Sequence, residues 1–404
     1  MDFALTEEQV QVRDMVREFA QREIAPHIQQ WEAKQEFHPE VLQRMGELGI
    51  LGLPIPERYG GGGFDYISFG LACEELEKVD TFMRVVMSVH VGLNSLALHQ
   101  WATEEQKQRW LRPQAEGTKY ATFGLTEPGA GSDAGNIAST VVKDGDSYIL
   151  NGEKMWISLA DFADHFLVFA SIDRSQKHNG LCAFVLERGM QGLTTGSIKG
   201  KLGVRAGNTG WLAFNNVRVP AENMIGEEGE GFKIAMSCID QGRFTVAAGA
   251  VGLAKASLEA SVKYCHEREA FGQEIGKFEL IQQKIAYMVA GIEASELLVA
   301  KAAELKNLGG RNTQATSLAK WYACDVAFKS ADEAIQIHGA YGYSNEYPVE
   351  RYMRNARGAV IYEGTREIHQ LVQASYALGY RVDKQLRCPQ PPAQAFEAPA
   401  LVRA

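Results

Sequence analysis

Between residues 1 and 121 apolar side chains return at helical spacing. Val12, Met15, Val16, Phe19 and Ala20 form one stripe behind Thr6, whose hydroxyl is placed to cap a helix start. Leu53-Pro54-Ile55-Pro56-Glu57 and the glycines at 60–63 break the stripe as a loop. The period resumes near Ser68, and Asp80 is placed to cap a further helix through Val86, Val89 and Leu93. From 122 to 231 the period shortens. Phe166-Leu167-Val168-Phe169-Ala170 and Leu181-Cys182-Ala183-Phe184-Val185-Leu186 predict buried strands, and Asn151-Gly152 predicts a turn. From 232 to 380 alanine-rich stretches at 247–260, 280–308 and 315–337 are long enough for bundle helices. The last stretch, 381–404, holds Pro389, Pro391, Pro392 and Pro399 and predicts a flexible extension. The expected fold class is mainly α with a central β domain. The expected division is a helical domain at 1–121, a β domain at 122–231, a helical bundle at 232–380 and a tail at 381–404.

A length of 404 residues exceeds what one core usually holds, in keeping with several domains. The net charge of −9 argues against a nucleic-acid partner, which would require a basic surface. Cys73, Cys182, Cys238, Cys265, Cys324 and Cys388 are scattered without a C-x-x-C pair, so neither a metal site nor a disulfide framework is expected. A reducing cytoplasm is the simplest setting. No signal peptide and no apolar run of membrane-spanning length is expected, and hence no membrane partner.

Three segments hold candidate chemistry. The first is Phe123-Gly124-Leu125-Thr126-Glu127-Pro128-Gly129-Ala130-Gly131-Ser132-Asp133, with a Gly-x-Gly outside any βαβ context. The second is Lys154-Met155-Trp156-Ile157-Ser158, and the third Tyr362-Glu363-Gly364-Thr365. Taken singly they mean little: the glycines mark a turn, Trp156 is core, and Glu363 is a solvated charge. In this order and at these separations they resemble the acyl-CoA dehydrogenase family of flavoenzymes, from about Leu5 to about Leu378. The resemblance implies a helical N-terminal domain, a β-barrel-like middle domain and a C-terminal four-helix bundle, with FAD held between the last two. It implies that Phe123, Leu125 and Thr126 lie beside the flavin ring, with Gly131 in the same loop. Ser132 would stand where flavin and CoA meet. Trp156, with Ile157, would pack on the isoalloxazine, and Ser158, where threonine is usual, would keep a hydroxyl for flavin N5.

Glu267-Arg268-Glu269-Ala270-Phe271-Gly272 resembles the family's Arg-x-x-Phe-Gly segment, in which the arginine reaches the flavin diphosphate of a neighbouring subunit. Gln336-Ile337-His338-Gly339-Ala340 resembles the cover of its adenosine half, with Gln336 and Gly339 as contacts. Shared cofactor sites imply a homotetramer, a dimer of dimers. Glu279 stands where the family often has a flavin-binding glutamine. Asp240 and Arg243 match the segment that meets CoA; without the family they read as an i,i+3 ion pair on a helix. Glu363 would be the α-proton base, its pKa raised by burial, while the β-hydrogen leaves as hydride to the flavin. Tyr362, Gly364, Thr365 and Glu367 match positions beside substrate and flavin.

The stretch 77–89 resembles glutaryl-CoA dehydrogenases, in which an arginine at the place of Arg84 grips the far carboxylate of the substrate and Glu77 and Ser88 match its network. On an α-helix Arg84, Ser88, Val91 and Ser95 share one face, which would turn the arginine inward; otherwise it is a surface charge near a helix end. The expected substrate is a dicarboxylic acyl-CoA such as glutaryl-CoA or benzylsuccinyl-CoA. The alternative is a short or branched monocarboxylic acyl-CoA. Electrons would pass to an electron-transfer flavoprotein. A reading of another class is a flavin- and CoA-binding protein without turnover, from which the intact set Glu363, Trp156, Ser158 and Arg243 would distinguish an enzyme.

Overall fold

A computed structural model describes residues 4–396. Helix α1 (Glu7–Phe19) starts at Thr6 with a reciprocal capping box: the Thr6 hydroxyl accepts from Gln9 N, and the Gln9 side chain accepts from Thr6 N. Helix α2 (Tyr66–Val79) ends where Asp80 turns to extended backbone. The Asp80 carboxylate then accepts from Phe82 N at 2.8 Å and starts α3 (Thr81–Val86). Both predicted caps are therefore present.

Helical structure continues from α3 to Trp101. By length and composition this segment is long and apolar enough to cross a membrane, but it lies almost wholly inside the fold, as a core helix does. Its middle, Met87–Ser95, is wound as a π-helix. That winding changes the predicted face. Ser88 stays with Arg84, whereas Ser95 turns to bond His90 O and Gln114, because i→i+5 bonding rotates later positions away from the α-helical stripe.

The middle of the chain forms one eight-stranded sheet: β1 (Ala121–Gly124), β2 (Thr140–Asp144), β3 (Ser147–Ser158), β4 (His165–Ser171), β5 (Leu181–Glu187), β6 (Leu193–Ser197), β7 (Thr209–Pro220) and β8 (Met224–Ile225). The order is β6-β7-β3-β2-β4-β5-β8, with β1 running parallel to β4. Strands β4 and β5 are the two predicted buried runs. Asn151-Gly152 is not a hairpin turn. It lies within β3 at a bulge, where Gly152 has φ 139° and a side chain would collide with Ser139. The hairpin is made by Gly145 and Asp146 between the paired Asp144 and Ser147.

Helix α4 (Gly231–Glu267) is the axis of the C-terminal bundle, joined by α5 (Glu279–Asn307), α6 (Thr313–His338), α7 (Val349–Ala359) and α8 (Arg366–Ala377). Its glycines approach the neighbouring elements closely: a side chain at Gly252 would collide with the backbone of Glu74 in α2.

Residues 381–396 correct the expectation of a flexible extension. They form a strap across the molecule. Gln390 O accepts from Gly310 N at 3.0 Å, Ala393 N donates to Asn307 O at 3.0 Å, and the Gln394 side chain accepts from Glu57 N at 2.9 Å. Arg387 pairs with Glu230 at 2.6 Å, and Ala393 is buried. Proline explains the outcome: it stiffens an extended chain and so lowers the entropy lost on docking. Residues 397–404, with Pro399, lie outside the described residues. Removal of 381–404 should lower the thermal midpoint by a few degrees, measured by calorimetry; an unchanged midpoint would mean the strap adds nothing to stability.

Candidate active site

Glu363 sits on the turn between α7 and α8 with φ 55°, followed by Gly364 at φ 98°. A non-glycine residue in this left-handed region costs energy, and such strain gathers at functional sites. The residue is only partly exposed, and its Oε2 is enclosed with no hydrogen-bond partner. Burial raises its pKa to about 6, against the opposing pull of Arg84, Lys320 and Arg243. A carboxylate with that pKa is ionised at neutral pH yet basic enough to take a proton.

The carboxylate lies against α4 at Gly242, where a side chain would collide with Oε2 and sit 2.8 Å from Leu93. One turn before and after this point, α4 supplies the surrounding polar groups. Arg243 pairs with Asp240 at 3.0 Å, and Thr245 bonds Ser88 at 2.6 Å. The Nε of Arg243 is buried without a partner, as is Nε2 of His369. Glu363 and the two residues whose side chains line Gly364, Arg243 and His369, therefore each hold one enclosed and unmatched polar atom, as a site that receives a polar ligand would.

Arg84 is fully buried. Its Nε donates to Glu77 at 2.5 Å, Nη1 to Ser88 at 2.9 Å and Nη2 to the Tyr362 hydroxyl at 2.6 Å. Burial works against the guanidinium charge, but Glu77, Tyr362 and Glu363 outweigh it and hold the pKa above its ordinary value. The pair fits because α4 has glycine at 249; a Cβ there would stand 2.8 Å from Arg84 Cγ.

A second cluster lies at the end of the sheet. Phe123 is in β1; Leu125 is buried and Thr126 partly exposed just beyond it. Trp156, at φ 64° on a bulge of β3, is 60% exposed, while Ile157 beside it is buried. Thr126 O accepts from Met155 N at 2.9 Å, and the Thr122 hydroxyl bonds Ser158 O at 2.5 Å. The buried pair of Lys154 with Glu127 at 2.7 Å fastens the loop to the strand. The two clusters adjoin. Leu93 and the Glu363 carboxylate both lie against Gly242, and the next residue, Asn94, donates to Thr122 O at 2.8 Å. Gly131 and Ser132 are exposed, and a Cβ at Gly131 would meet nothing, so protein packing does not require that glycine.

Arg268, Phe271, Gln336 and Gly339 are exposed on the bundle. They share no hydrogen bond or ring contact with either cluster among the described residues. Thr365 caps α8, accepting from Ile368 N, and Glu367 is exposed in its first turn. Sequence reasoning missed Gly249, Lys320 and the role of Gly242. The signal was present for the glycines: each costs about 1 kcal/mol inside a helix relative to alanine, so their presence in α4 marks close approach.

Three family models cover nearly the whole chain: acyl-CoA dehydrogenase N-terminal domain at 6–118, middle domain at 122–217 and C-terminal domain at 229–377. The chain belongs to the acyl-CoA dehydrogenase family. It is 43% identical to a short-chain-specific acyl-CoA dehydrogenase of Clostridium acetobutylicum, over 92% of this chain and 98% of the relative. A solved chain described with the electron transferring flavoprotein of Acidaminococcus fermentans matches at TM-score 0.92 and 46% identity, over 94% of this chain and 100% of its own. A glutaryl-CoA dehydrogenase in complex with glutaryl-CoA matches at TM-score 0.92 and 38% identity, over 94% and 98%. As a member of this family the protein is an FAD-dependent oxidoreductase. Its residues suit that cofactor: an exposed tryptophan offers a flat face, and Thr126 and Ser158 offer hydroxyls next to it.

The collisions at two α4 glycines differ in kind, and so should two substitutions. Gly242→Ala meets only side-chain ends, those of Glu363 and Leu93, so it should fold normally but displace the Glu363 carboxylate and cut kcat about 100-fold. Gly252→Ala meets backbone and should cost about 1–3 kcal/mol of stability. Melting curves beside steady-state rates separate the two; equal loss of stability would refute this distinction.

Proposed function

We propose that this dehydrogenase oxidises the Cα–Cβ bond of a dicarboxylic acyl-CoA, with Glu363 as the base and Arg84 as the grip on the distal carboxylate. The observation that carries the reading is Arg84 itself. It is buried beside the base, and Glu77, Ser88 and Tyr362 use three of its five N–H donors. The two remaining donors suit a carboxylate, and a charge-assisted pair contributes about 1.5–3 kcal/mol. Glutaryl-CoA and substituted succinyl-CoA thioesters such as benzylsuccinyl-CoA carry the required group. The likeness to a glutaryl-CoA dehydrogenase supports this choice.

In this reading Asp240 and Arg243 orient the CoA arm, Ser132 meets it at the flavin end, and Gly364 leaves room for the thioester. Glu363 Oε2, free of any partner, takes the α-proton. The Glu363 backbone N–H is the proposed donor to the thioester oxygen, where negative charge develops. Phe123, Leu125, Thr126, Trp156 and Ser158 hold the flavin ring, with Ile157 packed beneath them. Bound FAD supplies the acceptor for the hydride that leaves Cβ.

A second reading, a short or branched monocarboxylic substrate, is favoured by the Arg84–Glu77 pair being neutral in itself and by the similarity to a short-chain enzyme. We further propose a homotetramer, because Phe271 is 96% exposed and Tyr343 88%, an apolar surface suited to a neighbouring chain. Arg268, Gln336 and Gly339 would then complete the FAD site of that neighbour, with Thr365 and Glu367 near it. An electron-transfer flavoprotein is the proposed acceptor, supported by the likeness to the Acidaminococcus chain. A cytoplasmic setting accords with six free cysteines, five of them buried.

Glu363→Gln should keep FAD and thioester binding while anaerobic flavin bleaching slows about 10²–10⁴-fold. In the native enzyme kcat/KM should fall as pH drops through about 6, since the folded protein then protonates its base. Retained bleaching in the glutamine variant would remove Glu363 from this role. For Arg84→Gln, the ratio of kcat/KM for glutaryl-CoA over butyryl-CoA should drop at least about tenfold, the equivalent of 1.4 kcal/mol. An unchanged ratio would favour the monocarboxylic reading.

A further inference from the structure

Lys320 is buried in α6, 1% exposed, and takes part in no salt bridge among the described residues. Its one hydrogen bond runs from Nζ to Gly364 O at 2.8 Å, on the turn that carries Glu363. Burying an ammonium is expensive unless something nearby returns the cost. An apolar residue would fill the same space more cheaply, so packing does not account for a lysine here.

The charges around the base decide what does. Glu363 is faced by Arg84 of α3, Arg243 of α4 and Lys320 of α6. Arg84 is already paired with Glu77, and Arg243 with Asp240. Burial pulls the Lys320 pKa below its ordinary value; Cys324 on its own helix and Glu363 favour its charge, while Arg243 and Arg84 oppose it. Burial keeps the thiols of Cys324 and Cys73 and the Tyr362 phenol neutral by raising their pKa values. His369 of α8 stands beside Gly364, bonds Ser317 at 2.9 Å, and stays uncharged because burial pushes its pKa down to about 2. Arg84 exerts the largest pull on Glu363 and Lys320 the next, and of the three cations Lys320 alone has no carboxylate paired to it among the described residues.

We infer that Lys320 is a positioning residue of the turn that carries Glu363: its Nζ anchors the Gly364 carbonyl, and its charge adds to those of Arg84 and Arg243 in favouring the ionised carboxylate before substrate arrives. The bond to Gly364 O holds the left-handed turn from behind, and the carboxylate is thereby aimed at the gap above Gly242. The charge acts on the same group from α6. The sign follows directly: a cation favours the ionised carboxylate, so its removal raises the Glu363 pKa, and the base is lost at higher pH.

This inference rests on Glu363 as the base, and the test separates the two. Infrared-detected titration of the FAD-loaded enzyme follows the Glu363 carboxyl directly, assigned by the band that vanishes in Glu363→Gln. In Lys320→Met the carboxyl should titrate about half a unit to one unit higher, and the acid limb of kcat/KM with glutaryl-CoA or butyryl-CoA should move up equally. The plateau kcat should fall about tenfold or more as the turn loosens, with a smaller change in KM. Lys320→Arg, which keeps charge and donor, should bring the titration back towards the native value. If the methionine variant fails to retain FAD, Lys320→Gln, neutral but polar, carries the same titration. A Glu363 band that titrates within 0.2 unit of the native enzyme in the neutral variant would overturn the inference (that margin being about 0.3 kcal/mol). Turnover retained in Glu363→Gln would instead overturn the base assignment and leave the effect of Lys320 on the carboxyl readable.

Discussion

Helix α4 can lie against its neighbours only because it lacks side chains at Gly242, Gly249 and Gly252. At 252 the absence lets the backbone of α2 approach, which sets the distance between the N-terminal helices and the bundle. At 249 it makes the volume occupied by Arg84 and Glu77. At 242 it makes the volume occupied by the Glu363 carboxylate. The same contact line therefore fixes the interdomain packing and lodges both ends of the candidate substrate site. Three glycines weaken a helix in isolation. In a 37-residue helix packed on several sides, tertiary contacts carry the stability instead.

Charge is handled by the same enclosure. Both buried arginines near Glu363 have a carboxylate close by, Arg84 with Glu77 and Arg243 with Asp240. Desolvation alone would push Glu363 towards the neutral acid, and the surrounding cations restrain that shift, which leaves its pKa at about 6. A carboxylate with that pKa is basic enough to accept a proton near neutral pH. The neighbouring orphan atoms of Arg243 and His369 show that the polar demand of the site is left incomplete within the chain. Such incompleteness is costly in a core and useful in a binding site.

The strap at 381–396 lies beyond the residues matched by the family models, which end at 377. It ties the loop after α5 to the loop at 56–63 and to the start of α4. It thus reinforces, from outside, the association of parts that the α4 glycines bring together.

Much was legible from residue order alone. The Thr6 and Asp80 caps, the buried runs of β4 and β5 and the long bundle helices follow from local chemistry and period, and the structure has them where that chemistry puts them. The Tyr362-Glu363-Gly364-Thr365 tetrapeptide, with the two upstream segments, gave the family. What failed was decided at longer range. Asn151-Gly152 became a bulge because β3 pairs with β7 on one side while Ser139 crowds the other, and a proline-rich tail found a groove to dock in. The π-wound middle of the helix after α3 redirected Ser95. Composition and periodicity record what each residue prefers beside its chain neighbours. Only the tertiary structure set Glu363 against Gly242, Arg84 against Tyr362 and Lys320 against Gly364, because each pair is separated by tens to hundreds of positions and meets only when the helices pack.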